Sequence, residues 1–388
     1  MEQHKSTSPA STLFVPSTPT SIKETGLSLS FLTDLALKIM YSEGNISGYE
    51  LAERMRLPYP GVVDQVLEFL KREKLCAVKG TGGFAEAAYQ YAIADKGRIM
   101  AREALDRSQY AGPAPVTLEA YTEAIHRQPL GKVVVHQRTM RQALAHMVIS
   151  EESFAQLGPA VNSGRSIFLF GHPGNGKTAI AESIGQMMLG DVMYIPYAME
   201  VGGHVIRIFD YVNHVLAEDA SSTNRAHDPR WMRIQRPVIV TGGELTLETL
   251  DLVYDENNKY YEAPFQVKAN GGMLLIDDFG RQQARPRDLV DEAFLRRIRH
   301  KIEVKDPTWD EYREIFRRVC GDKGVPYDGQ GLAYLIQEHY LKRNHPRRAC
   351  HPRDIVDQIR DIARYLNVPP ALSKDLIDRA CNAYFVEI

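Results

Sequence analysis

The stretch FLFGHPGNGKTAIAESI, residues 168–184, decides how the rest of the chain is read. Residues 171–178 spell Gly-His-Pro-Gly-Asn-Gly-Lys-Thr, a glycine and four residues followed by Gly-Lys-Thr. The apolar run SIFLF before it reads as a buried strand, and TAIAESIGQMM after it has helical apolar spacing. Gly174 and Gly176 let backbone N–H groups turn inward around oxygens with no Cβ in the way. Lys177 brings a point charge to the β- and γ-phosphates of a nucleotide, and Thr178 offers a hydroxyl to Mg²⁺. The following helix adds its positive N-terminal end. Gly171, Pro173, Gly174, Asn175, Gly176, Lys177, Thr178 and Ala179 are therefore the expected phosphate-binding residues.

A second element is expected on a strand that ends in acid. GGMLLIDDFG, residues 271–280, fits: Met273 to Ile276 are apolar, and Asp277 and Asp278 follow. Asp277 is expected to hold Mg²⁺ through its water shell. Asp278 stands where a glutamate often polarises the attacking water. It is one methylene shorter, so it fills that role with a shifted backbone or fills it poorly.

Together these parts resemble the AAA+ ATPase superfamily over roughly residues 130–388, in particular the MoxR-like bacterial AAA family. YYEAPFQVKANGGMLLIDD is similar to the approach to the acidic strand in MoxR-like and enhancer-binding members, without the GAFTGA loop of the latter. The resemblance implies an α/β fold, a P-loop αβα sandwich with a C-terminal helical lid, and cofactors ATP and Mg²⁺. HPRDIVDQI resembles the second sensor motif of the lid, which places Arg353 at a helix start within reach of the γ-phosphate; the alternative is a surface arginine near a cap. VDEAFLRRI, residues 290–298, resembles the segment carrying an arginine finger, with Arg296 or Arg297 acting on a neighbouring subunit's ATP. A finger acting in trans implies a homo-oligomer.

The chain departs from that family in one place. A strand takes about five residues and a crossover helix about a dozen, yet only FGRQQARPRDL, residues 279–289, separates the acidic strand from the finger segment. The sensor-1 strand region has no room there. Because that strand normally lies between the phosphate-loop strand and the acidic strand, its loss leaves those two unpaired or forces them to pair directly. ATP binding is expected to survive better than hydrolysis.

Ahead of this region, residues 23–110 read as short helices and two strands. LSFLTDLALKIMYSEG stops at Gly44, Ser47 is a plausible cap for the next helix, and Val62, Val63, Val66, Leu67 and Leu70 share one helical face. LCAVKG and AYQYAIAD read as strands joined by TGGFAEA. The pattern resembles a winged helix-turn-helix domain. Between Lys23 and Arg107 there are 12 basic and 12 acidic residues, which leaves little net charge for duplex DNA. DNA is thus a weakly supported partner, and an unknown protein partner is preferred; Arg54, Arg56, Lys79 and the Lys71–Lys74 cluster are the residues able to meet a phosphate backbone.

The expected domains are a disordered, Ser/Thr/Pro-rich tail at 1–22, the winged-helix-like domain at 23–110, and a linker and helix at 111–150. A shortened nucleotide domain at 151–305 and a helical lid at 306–388 follow. The chain has 388 residues, 44% hydrophobic and 25% charged, with a formal net charge of −2. That balance excludes a global bias toward nucleic acid or acidic membrane. Cys76, Cys320, Cys350 and Cys381 form no CxxC pair and are expected as reduced thiols in a cytoplasmic protein. No apolar run approaches the roughly 20 residues that span a bilayer. The 12 histidines show no metal-ligand spacing, and His345 and His351 are expected at the surface. Glu244 is expected to cap a helix, and Tyr260 and Tyr261 to pack in the core unless a ring makes them pore residues. The expected function is an ATPase that couples Mg-ATP hydrolysis to remodelling of a protein or nucleic-acid partner; the alternative is an ATP-gated winged-helix regulator with weak or no hydrolysis.

Overall fold

Leu29–Glu43 forms a helix because its apolar residues recur at helical spacing and burial follows them, from Leu32 through Leu35 and Ile39 to Met40. Ser28 caps its start and Gly44 ends it. The computed structural model of the chain describes residues 14–81, 88–129, 135–188, 192–217, 227–243, 245–246, 248–277 and 298–385. Chain contacts divide it into two compact units, residues 1–131 with 188–289, and residues 132–187 with 290–388. The expected nucleotide domain, 151–305, contributes to both.

In the first unit the long helix is followed by a short strand, Asn45–Ser47, and a helix, Gly48–Met55. Ser47 and Glu50 form a capping box at that helix start, each side chain bonded to the other's backbone N–H. A third helix, Asp64–Arg72, buries Val66, Leu67 and Leu70, and Val62 and Val63 are buried just before it. The strands Cys76–Thr81 and Tyr89–Ile93 pair antiparallel, and Asn45–Ser47 adds to the free side of Tyr89–Ile93. The expected two-stranded sheet therefore has three strands.

YAGPAPVTLEAY, read as a connection between domains, is packed into this unit. Tyr110 and Ala114 belong to the same apolar core as the helices, and so do Ala198 and Val205. Val116–Thr117 pairs parallel with Ala198–Val201 at the edge of a five-stranded mixed sheet. Tyr110 donates its hydroxyl to the carbonyl of Pro113 at 2.6 Å and meets Tyr260 edge to face. Tyr260 is half-buried against that core, and Tyr261 is half-buried beside it. The prolines that resemble a linker in sequence shape a bend whose two ends are held by burial.

The strands of the expected α/β segment are distributed over four sheets among the described residues. In the first unit, Val192–Pro196 pairs antiparallel with Trp231–Gln235. The acidic strand, Met273–Ile276, pairs parallel with Val238–Thr241. In the second unit, the phosphate-loop strand Ile167–Phe170 pairs parallel with His300–Glu303. Among the described residues each of these two parallel pairs is a two-stranded sheet.

From Trp309 onward the second unit is helical: Trp309–Lys323, Gly329–Leu335 continuing through the π-helical turn Ile336–Leu341, His351–Tyr365 and Lys374–Tyr384. Tyr312, Phe316, Leu335, Tyr340, Ile355, Ile359 and Ile377 pack between them. His351, expected at the surface, is buried. Its Nδ1 lies 2.9 Å from the hydroxyl of Tyr340, which lies 2.8 Å from that of Tyr312. All four cysteines are free thiols. No helix among the described residues is long and apolar enough to cross a membrane.

Candidate functional site

The site is built on the pair of strands in the second unit. Register runs from Ile167 opposite His300 to Phe170 opposite Glu303, and the Val304 amide donates to Phe170 at 2.8 Å. The chain leaves the strand at Gly171, rounds an exposed loop and enters the helix Lys177–Met188. Gly174 and Gly176 are left-handed at φ 83° and 81°, conformations closed in practice to residues with a Cβ. A Cβ on Gly174 would also lie 2.6 Å from the Cys350 sulfur. The sequence places glycine there for both reasons.

Lys177 curls back over the loop: its Nζ donates to the carbonyls of Gly171 and His172 at 3.2 and 3.0 Å. The loop, the ammonium and the start of a twelve-residue helix thus come together at one solvent-facing point. Such a point suits an anion, because the first amides of a helix have no intrahelical acceptor and its dipole is positive there. These residues fit a nucleotide's phosphates, with Lys177 as the charge and Thr178 as the hydroxyl for a divalent cation. Among the described residues no cluster of His, Cys, Asp and Glu makes a metal site by itself.

Behind the loop lies a polar hub that the sequence did not disclose. Asn175, buried at 5% exposure, donates Nδ2 to Asp306 at 2.7 Å and accepts from the Ala349 amide at 3.2 Å. Arg348 forms an ion pair with the other Asp306 oxygen. His172 Nδ1 sits 3.2 Å from Asp306. The Cys350 amide donates to the carbonyl of Gly174 at 2.9 Å. Partial burial pushes the Asp306 carboxyl up, but hydrogen bonds from Asn175 and Arg348 and the charges of Arg348 and His172 outweigh it and hold the group below its ordinary 3.8. Burial moves the Cys350 thiol up, away from thiolate character.

The expected residues are distributed unevenly. Gly171, Pro173, Gly174, Asn175, Gly176, Lys177, Thr178 and Ala179 share the loop and helix start. Arg353 lies in the same unit, in the first turn of His351–Tyr365, where its side chain is 64% exposed and its Nε donates to Asp354 at 3.1 Å. The arginine that meets the phosphate-loop hub is Arg348, 16% exposed. Asp277 directly follows the strand Met273–Ile276 in the first unit, and its amide donates to the Thr241 carbonyl at 2.8 Å. Glu244, Asp278, Arg296 and Arg297 lie outside the described residues. Arg348 was visible only as part of the basic run RNHPRR, and nothing local marks Asp306.

Comparison with known proteins adds little to this geometry. Residues 308–383, the helical segment, match a family described as a domain of unknown function, DUF8689. No curated protein matches the chain. Among solved structures it is similar to the RuvB Holliday junction branch migration motor of Thermotoga maritima, at 14% identity and a TM-score of 0.33 over 70% of this chain and 72% of that one. It is also similar to the FIGL-1 AAA domain in complex with ADP, at 14% identity and a TM-score of 0.28 over 84% and 92%. At such scores the likenesses carry no argument, and the functional reading rests on the site.

Proposed function

We propose that the chain is an AAA+ type ATPase that binds ATP with Mg²⁺ and couples the nucleotide's state to a partner. The observation that carries this is the strand, glycine loop and Lys177-led helix, with both key glycines left-handed and the ammonium curled over the loop. Bound ATP supplies the phosphoanhydride bond whose hydrolysis is the reaction. Lys177 would bind and orient the β- and γ-phosphates by charge, the loop amides would donate to the phosphate oxygens, and Thr178 would give its hydroxyl to the cation. The metal role of Asp277 and the water-polarising role of Asp278 rest on the sequence resemblance alone, as does the action of Arg296 or Arg297 on a neighbour in a homo-oligomer. Arg353 is assigned to sense the γ-phosphate; its side chain is 64% exposed and, among the described residues, pairs with the neighbouring Asp354.

A second reading, an ATP-gated regulator with little hydrolysis, is favoured by the short stretch 279–289 between the acidic strand and the finger segment. Nucleotide binding and phosphate release measured separately decide between them. Wild type binds ATP and Lys177→Ala loses at least a hundredfold in affinity. Turnover of several per second, typical of intact enzymes, would discard the regulator; turnover far below that supports it.

The winged-helix-like module is proposed to hold protein rather than DNA. Arg56 is engaged internally, donating to the Pro229 carbonyl at 3.2 Å and lying over the ring of Tyr197. Arg54 pairs with Glu43 at 2.9 Å. The end of the helix that would enter a major groove is crossed by the preceding chain, since a Cβ on Gly61 would collide with the carbonyl of Thr20. A strong, steeply salt-dependent shift of duplex DNA would overturn this assignment.

A further inference from the structure

We propose that Asp306 sets the nucleotide affinity of the loop by acting as a resident anion that the phosphates must displace. The inference rests on the reading of the loop as a nucleotide site and adds a residue that the loop motif does not contain. Three donors that face the loop converge on this one carboxylate: the guanidinium of Arg348, Nδ2 of Asn175 at 2.7 Å and Nδ1 of His172 at 3.2 Å. Two of the three, His172 and Asn175, belong to the loop itself. Arg348 is followed directly by Ala349 and Cys350, whose amides bond to Asn175 Oδ1 and the Gly174 carbonyl. The carboxylate therefore links one side of the phosphate loop to residues 348–350.

The two cations at the loop are held in different ways. Lys177 is held by two neutral carbonyls, contacts that an incoming anion replaces easily. Arg348 is held by a carboxylate in a half-shielded place, at 16% and 26% exposure, and charge-assisted pairs are the stronger kind. A negative charge so close to an anion site opposes the arrival of phosphate. It also withholds the guanidinium that would otherwise favour phosphate. If the closed pair is the state of about nine molecules in ten, the apparent affinity falls about tenfold below that of the open loop.

The test uses the full chain with Mg-ATP at low salt. Affinities are measured for wild type, Asp306→Asn, Arg348→Ala, the double variant and Lys177→Ala, with a melting curve for each. Asp306→Asn binds ATP about tenfold tighter, Arg348→Ala binds weaker, and the double variant loses the part of the gain that passes through the released arginine. A purely structural tie predicts weaker binding in Asp306→Asn. Equal or weaker binding in a variant that melts within a few degrees of wild type overturns the proposal. Should Asp306→Asn not fold, hydrogen exchange in wild type decides: saturating ATP speeds exchange at the Ala349 and Cys350 amides if the tie opens, and unchanged or increased protection there refutes it. If wild type binds no ATP, or Lys177→Ala binds equally well, the nucleotide reading itself fails and Asp306 falls with it. If binding depends on Lys177 but not on Asp306 in the stated direction, the anion proposal alone fails.

Discussion

Asn175 in the phosphate loop and Asp306, 131 residues later, are joined at 2.7 Å through the Asn175 amide and the Asp306 carboxylate. The bond lies at the end of the strand pair Ile167–Phe170 and His300–Glu303, which brings the two positions together. Asn175 is thus a part of the loop that points inward, while Gly171 to Gly174 face solvent.

Replacing Asn175 with Ala removes a donor to Asp306 and an acceptor for Ala349 from a buried place. Unmade buried hydrogen bonds cost about 1–3 kcal/mol, so the variant is expected to be less stable by that amount in denaturant titration. A change within about 0.5 kcal/mol would show that water replaces the amide without loss.

Gly174→Ala meets two obstacles, a left-handed φ and the Cys350 sulfur. A residue with a Cβ held in a strained backbone region costs about 1–3 kcal/mol. The double variant Gly174→Ala, Cys350→Ala should recover the steric part and leave the backbone part. Full recovery of stability in the double variant would mean that the φ is not strained.

Arg230 and Asp228 form an ion pair at 2.8 Å with side chains 6% and 1% exposed, and Arg230 also donates to the carbonyls of Thr25 and Pro115. Arg230→Met takes the guanidinium from a buried carboxylate and two carbonyls and leaves the carboxylate the backbone amide of residue 230. Breaking one side of a buried pair costs about 3–5 kcal/mol, read as a shift of the denaturation midpoint. Replacing both partners with apolar residues is expected to cost less than the single change.

His351 is held near pH-neutral form by burial first and by the charge of Arg348 second, which push its pKa down from 6.5 to about 4. Between those two values the unfolded chain binds a proton that the folded chain refuses. The contribution to stability is therefore full above about pH 6.5 and is lost as the pH falls toward 4, by roughly 3 kcal/mol for a shift of this size. Stability measured at pH 7 and pH 4.5 should fall more in wild type than in His351→Gln. Equal falls would place the acid sensitivity in other groups.

Much of the local structure was legible in the residues. The phosphate loop, the Ser47–Glu50 capping box, the stop at Gly44 and the apolar face of Val66, Leu67 and Leu70 depend on side chains within about four positions of one another. A pattern of that range is written in the sequence itself. The glycines at 174 and 176 belong to the same class, because their φ angles exclude other residues before any tertiary contact forms.

Tertiary structure alone decided the partners across long chain distances. It set Ile167–Phe170 beside His300–Glu303, packed the proline-rich segment around Tyr110 into a core, drew His351 inside against Tyr340, and gave Asp306 the donors Arg348 and Asn175. Such contacts close loops of many residues, and their free energy comes from the burial and desolvation of groups that are strangers in sequence. The chain's local pattern specifies which segments are helix, strand and glycine loop; which polar group lies opposite which is settled only when the core has formed.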